Sequence, residues 1–152
     1  MLADFIKPTS RILNIGCGNA LFSEDLYDDG FPNQLNIDIS SVVIAQMRER
    51  NIQSRPEMQW EIMDCCDMKG VESNSVDIVI DKSTMDALLC GDNSFVNVAK
   101  MIKETQRILK PNGVYFVISY GKPDARLLHF QHAFCSFDIR EFIVYDSDAV
   151  TA

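Results

Sequence analysis

The sequence predicts an α/β fold, with a mostly parallel central sheet covered by helices on both faces in three layers. Three observations carry that prediction. Short apolar runs alternate with helix-like stretches along most of the chain, the pattern of repeated strand–helix units. The run Val76-Asp77-Ile78-Val79-Ile80 is apolar enough for a central strand buried on both faces. The first four expected strands run into Gly16-Cys17-Gly18, Asp38, Asp64 and Asp81, and open α/β sheets bind ligands at such strand ends.

Arg11 to Ile15 reads as a short buried strand, ended by the glycine turn. Asn19 suits the cap of a helix running to Asp29, with Gly30 just past its end. Gln34 to Ile37 is the second strand. Ser40 or Ser41 then caps a helix that places Val43, Ile44 and Met47 on one face. Met58 to Met63 is the third strand and Val76 to Ile80 the fourth. Ser94 opens the clearest helix, because Phe95, Val98, Ile102, Thr105 and Leu109 fall at steps of three and four. Lys110-Pro111-Asn112-Gly113 is expected to stop it, and Val114 to Ser119 is the fifth strand. Ala125 to Ala133 reads as helical, and Phe137 to Val144 as a last strand.

A chain of 152 residues fits one domain, taken as 1–152. Its formal net charge of −8 disfavours a nucleic-acid partner, which requires a basic face. It suits a basic protein partner or a small molecule. The five cysteines are odd in number and contain no C-x-x-C, which points to free thiols in a reducing compartment. No apolar run reaches the roughly 18 residues of a membrane span, and Met1-Leu2-Ala3-Asp4 lacks the basic start of a signal peptide. The expectation is a soluble, cytoplasmic protein without a membrane partner.

The glycine turn narrows the ligand. A dinucleotide fingerprint reads G-x-G-x-x-G, and the third position here is Leu21. The acidic residue that reads ribose, about 20 positions on, is present as Asp38. A ligand with ribose and no phosphates fits both facts, and S-adenosylmethionine is one. Asp38 would take the ribose hydroxyls through its paired acceptor oxygens. Asp64 would accept from the adenine amino group, and the Cys65 N–H would donate to a ring nitrogen. Each feature has a plain structural reading alone: a tight turn, an N-cap, a turn opener. Their conjunction at successive strand ends favours the cofactor.

These blocks resemble a class I, seven-strand S-adenosylmethionine-dependent methyltransferase with a Rossmann-like core. "ILNIGCGNALFSEDLYDDGF", "NIDISSVVIAQMRER", "MQWEIMDCCDM", "VDIVIDKSTMDALL" and "RILKPNGVYFVISYG" are similar to the enzymes that methylate lysines of translation elongation factor 1-alpha. The resemblance implies that the turn Gly16-Cys17-Gly18-Asn19 lines the methionine part of the cofactor. It places Asp38 and Ile39 at ribose and adenine, Asp64 and Cys65 at adenine, and Asp81-Lys82 beside the cofactor. It also implies a protein substrate. Asp81 and Asp86 are the candidates for the rim of an acceptor slot, with no general base assigned. Asn14, Ala20 and Ser83 depart from the family pattern, and Ser83 replaces a glycine whose dihedrals serine disfavours.

His129, His132 and Cys135 share helical spacing, but they lack a fourth ligand, so no metal site is expected. A small-molecule methyltransferase and a non-catalytic cofactor-binding scaffold are the rival readings; a nicotinamide dehydrogenase is more distant because of Leu21. The chain reads as a methyltransferase core trimmed at both ends, with weak turnover. The fifth strand is then an apolar edge, covered either by Phe137 to Val144 or by a second copy in a homodimer.

Overall fold

The computed structural model describes residues 5–143, and the fold is α/β as expected. Among these residues five strands form one parallel sheet: β1 (Ile12–Ile15), β2 (Gln34–Asp38), β3 (Gln59–Ile62), β4 (Val76–Lys82) and β5 (Leu109–Ile118). Their order across the sheet is β3-β2-β1-β4-β5. The helices are α1 (Phe22–Asp28), α2 (Ser41–Asn51), α3 (Thr84–Leu89), α4 (Ser94–Ile108) and α5 (Pro123–Leu127), the last continued by a 3-10 turn over Leu128–Phe130.

Strand alternation sorts the core into two faces. Leu13, Ile15, Leu35, Ile37 and Val79 point to the side where Val98, Met101 and Ile102 of α4 and Met85 of α3 pack. Ile12, Ile78 and Ile80 point the other way, onto Leu26 of α1. Trp60 shares this second side with Ile44 and Met47 of α2. Glu24 ties the two helices there, accepting from Arg50 at 2.5 Å and from Asn51 at 2.9 Å. Strand order reverses between β1 and β4, so the switch point of the sheet lies where Gly16 follows β1 and Lys82 ends β4.

Several local expectations are corrected. Asn19 does not cap α1; Leu21 holds that position, without a side-chain cap. Ser40 caps α2, its hydroxyl accepting from the Val43 N–H at 3.3 Å. Lys110-Pro111-Asn112-Gly113 does not separate α4 from the fifth strand. The helix stops at Ile108, β5 begins at Leu109, and the four residues form a bulge between the Val76–Leu109 and Ile78–Val114 pairings. Asn112 takes the left-handed conformation there (φ 65°), which asparagine tolerates. The helix expected over Ala125–Ala133 is shorter and ends in the 3-10 turn. Residues 137–143 form no strand, and Val144 lies outside the described residues. Phe137 instead packs its ring against Tyr115 and Phe130, with centroids 6.0 and 6.1 Å away.

Candidate functional site

The carboxyl ends of β1, β2 and β4 and the turn after β3 open into one cleft of about 520 Å3. Gly16, Asp38, Ile39, Asp64, Cys65 and Lys82 all line it, which brings together six of the residues singled out in the sequence. Met63, Cys66, Ser83, Thr84 and Asn97 complete much of its wall.

The glycine turn has two distinct requirements. Gly16 and Gly18 both adopt left-handed φ values, 56° and 57°. A Cβ on Gly16 would also lie 2.3 Å from Thr84 Oγ1, so the position excludes a side chain by packing. That hydroxyl donates to the Ile15 carbonyl at 2.8 Å and joins the turn to the start of α3. The Cys17 N–H donates to the Ile37 carbonyl at 3.0 Å, extending the β1–β2 ladder into the turn. Burial and the nearby Asp38 carboxylate push the Cys17 thiol up to about 12, so it stays protonated.

Asp38 is half-buried at the end of β2. One carboxylate oxygen accepts from the Gly18 N–H at 3.0 Å and the other from the Ser40 N–H at 2.9 Å. A carboxylate offers about four lone-pair sites, so capacity remains for two hydroxyls. No cation pairs with Asp38 among the described residues. Ile39 follows at 74% exposure, an apolar surface beside a polar acceptor. On the neighbouring strand end Asp64 is exposed, and its Oδ1 accepts from the Cys66 N–H at 2.8 Å. The Cys65 N–H donates to no described residue. Burial pushes the Cys65 thiol well up.

A second hollow of about 40 Å3 adjoins the turn, with Gly16 and Lys82 common to both walls. Asn14 lines it. Its Nδ2 donates to Asn36 Oδ1 at 2.7 Å and to Gln34 Oε1 at 3.0 Å, in a buried amide ladder between β1 and β2. Asn14 Oδ1 is left without a partner among the described residues. A buried orphan acceptor facing a cavity invites a donor. The sequence flagged Asn14 only as a departure; its orphaned oxygen depends on neighbours 20 and 22 residues away.

Asp81 and Asp86 lie elsewhere. Asp81 is 0% exposed and does not line the cleft. It accepts from the Thr84 N–H at 2.8 Å, the Met85 N–H at 3.2 Å and the Tyr115 hydroxyl at 2.9 Å, and so caps α3 from below. Burial pushes its carboxyl up to about 6 against those hydrogen bonds. Asp86 accepts from Ser119, the Tyr120 N–H and Arg126. Burial raises its pKa, but these partners outweigh it and hold the carboxyl below the usual range. Lys82 reaches both hollows and makes no ion pair with a described residue. Cys17 lines only the smaller hollow, and Gly18 and Asn19 line neither. The residues of H-x-x-H-x-x-C are not gathered among the described residues: His129 packs on Phe95 and His132 stacks on Phe134.

Comparison with known proteins bears on the family of the chain. A family model described as a methyltransferase domain matches residues 6–140. The human eEF1A lysine and N-terminal methyltransferase is 42% identical over 124 residues, covering 80% of this chain and 18% of that protein. The bovine EEF1A lysine methyltransferase 4 is 34% identical over 148 residues, covering 92% of this chain and 57% of that protein. The chain therefore spans only part of each relative. Among solved structures, a SAM-dependent methyltransferase from Methanosarcina mazei superposes with a TM-score of 0.67 at 21% identity, covering 84% of this chain and 60% of that one. A Haemonchus contortus N-methyltransferase bound to S-adenosylhomocysteine gives 0.63 at 23%, covering 75% and 25%. The family model's match across nearly all of the described chain settles the classification: the chain belongs to the S-adenosylmethionine-dependent methyltransferase family.

Proposed function

We propose that this chain is the cofactor-binding core of a protein lysine methyltransferase acting on translation elongation factor 1-alpha, with a single domain over 1–152. The observation that carries the cofactor half is Asp38, an uncompensated carboxylate with spare acceptor capacity beside the exposed Ile39. The residues present fit S-adenosylmethionine. Asp38 holds the ribose hydroxyls, Ile39 packs on the adenine, and Asp64 with the Cys65 N–H reads its edge. The orphaned Asn14 Oδ1 receives the ammonium of the methionine part, and Lys82 its carboxylate. Bound there, S-adenosylmethionine supplies a methyl group already activated for in-line displacement by its sulfonium.

The protein's part is placement. Gly16 and Gly18 let the backbone come close, and the cleft walls fix orientation, which is where most of the acceleration of such a displacement resides. An acceptor lysine must shed its proton before attack, since its ordinary pKa is about 10.4. Asp86, held ionised by Ser119, the Tyr120 N–H and Arg126, is a poor base; it serves instead to anchor the end of β5 and α5 beside the cleft. Asp81 supports α3. Solvent then takes the lysine proton at the cleft mouth.

The substrate half rests on the relatives' names, which specify eEF1A lysine methylation. Five free cysteines accord with a reducing, cytoplasmic setting, and none of the described helices is long and apolar enough to cross a membrane. The outer edge of β5, unpaired among the described residues, is where a second copy would add; sedimentation across concentration reads that directly. The deciding experiment is calorimetric titration with S-adenosylmethionine, followed by mass spectrometry of purified elongation factor 1-alpha incubated with protein and cofactor. Saturable binding and added methyl mass on lysine are expected. Binding without any lysine product would leave the cofactor reading standing and overturn the substrate.

A further inference from the structure

The turn after β3 carries three metal-ligating groups in sequence, Asp64, Cys65 and Cys66. One ligand atom from each lies within 4.8 Å of the other two. We propose that this trio is a binding site for a thiophilic divalent cation of the zinc class, and that the ion and the cofactor exclude one another.

The geometry is close to a chelate. In tetrahedral zinc with Zn–S bonds near 2.3 Å, two sulfurs stand about 3.8 Å apart. The trio therefore needs to close by about 1.3 Å or less, a side-chain adjustment. The turn is already organised for it. Asp64 Oδ1 accepts from the Cys66 N–H at 2.8 Å, which folds the carboxylate back over the two thiols. The Asp64 carbonyl accepts from the Asp67 N–H at 3.0 Å and fixes the chain beyond. The Cys66 thiol donates to the Asn97 carbonyl at 3.3 Å in the first turn of α4, which holds it at the cleft wall until a bound ion displaces its proton. Asp64 carries no ion pair with a described residue, and its exposure gives an ion its entry path. Two sulfurs and one oxygen suit zinc or cadmium better than magnesium or calcium, which take oxygen ligands only. Three protein ligands leave a fourth position open to the cleft.

The step balances simply. The aqueous cation loses water, Cys65 and Cys66 each release one proton to buffer, and two metal–sulfur bonds and one metal–oxygen bond form. No electron moves. Competition with cofactor rests on the functional reading above, because Asp64 and Cys65 are the groups assigned to adenine there. An ion on them occupies that wall of the cleft and withdraws the Asp64 carboxylate.

The test separates the two readings. The whole chain is titrated with cadmium chloride in the absence of any nucleoside, following the ultraviolet band of cadmium–thiolate bonds. Zinc is then titrated competitively. A 1:1 site is expected, weakened at least tenfold by Cys66→Ser and by Asp64→Asn, and unchanged by Cys90→Ser. Asp64 is exposed and Cys66 half-buried, so both variants avoid Cys65, whose side chain packs into the core at the cleft wall, and circular dichroism checks their fold. A 1:1 site insensitive to both substitutions, or no site at micromolar cadmium, overturns the assignment. In parallel, S-adenosylhomocysteine is titrated by calorimetry with and without saturating zinc. At least a tenfold loss of affinity is expected, and undiminished affinity overturns the exclusion. Absence of any nucleoside binding in metal-free buffer, with the cadmium site intact, would instead count against the functional reading alone.

Discussion

Asp38 and Ser83 show how single residues divide between binding and strain. Asp38→Ala removes the carboxylate proposed to accept from ribose, and hydrogen bonds to charged groups contribute about 1.5–3 kcal/mol, so affinity for S-adenosylmethionine should fall more than tenfold. The same carboxylate also holds the Gly18 and Ser40 N–H groups. Asp38→Ala should therefore also lower thermal stability, while Asp38→Asn keeps part of that anchoring. Calorimetry on both variants checks this, and unchanged affinity in a folded variant would remove Asp38 from the site. Ser83 holds a left-handed conformation, φ 67° and ψ 10°, at the start of α3. A non-glycine residue costs roughly 1–2 kcal/mol there. Ser83→Gly relieves that strain against a larger unfolded-state entropy, leaving a net gain of about 1 kcal/mol. The melting temperature should rise by about 2–4 °C. A lower melting temperature would show that the serine hydroxyl contributes more than its backbone costs.

Element α3 depends on a buried acid. Asp81 ordinarily titrates at 3.8, and burial pushes it to about 6 in the folded protein. Its raised pKa means the fold favours the protonated form. The resulting stability is fully present below the unfolded value and is lost as pH rises through about 6. The difference amounts to about 3 kcal/mol at most. Wild type should therefore lose stability relative to Asp81→Asn as pH climbs from about 4 to about 7. Urea unfolding of both proteins across that window checks it, and parallel curves would show that Asp81 titrates normally. This element was also the hardest to read in sequence. Six residues are too few to display a helical period, so Thr84–Leu89 passed unnoticed although its "DKSTMDALL" block was distinctive. By contrast α4 was legible from Val98, Ile102 and Thr105, all fully buried on one stripe, although Phe95 is 65% exposed and Leu109 begins β5 instead of extending the helix. The four parallel strand ends were legible because apolar runs stopped abruptly at Gly16 and at acids. What the sequence concealed was long-range: the bulge at Lys110–Gly113 depends on pairing with β4, and the burial of Asp81 depends on Tyr115, 34 residues away. Phe137–Val144 alternated like a strand, yet its first seven residues lack a ladder partner, and Phe137 is held by aromatic contacts instead.

At the scale of the whole molecule, the topology fixes where a nucleoside enters and the charge pattern selects which one. The switch point puts Gly16 and Lys82 side by side, a position shared by dinucleotide and S-adenosylmethionine sites in such sheets. The start of α1 then discriminates. A pyrophosphate requires a close, electropositive helix N-terminus. Here Leu21 stands at that N-terminus, 60% exposed, and Glu24 and Asp25 occupy the first turn. Arg50 compensates Glu24, but the Asp25 carboxylate offsets the positive end of the helix dipole there, and the chain's net charge of −8 adds to the repulsion. S-adenosylhomocysteine carries no phosphate and meets none of this. A ligand at a hundredfold excess over its Kd stabilises the folded state by about 2.7 kcal/mol. That corresponds to a melting shift of about 5–10 °C for a domain of this size. S-adenosylhomocysteine should give such a shift in thermal denaturation, and NAD at the same concentration should give none. A comparable shift with NAD would mean that the acidic first turn of α1 does not repel the pyrophosphate, and that the absent third glycine is no barrier to it.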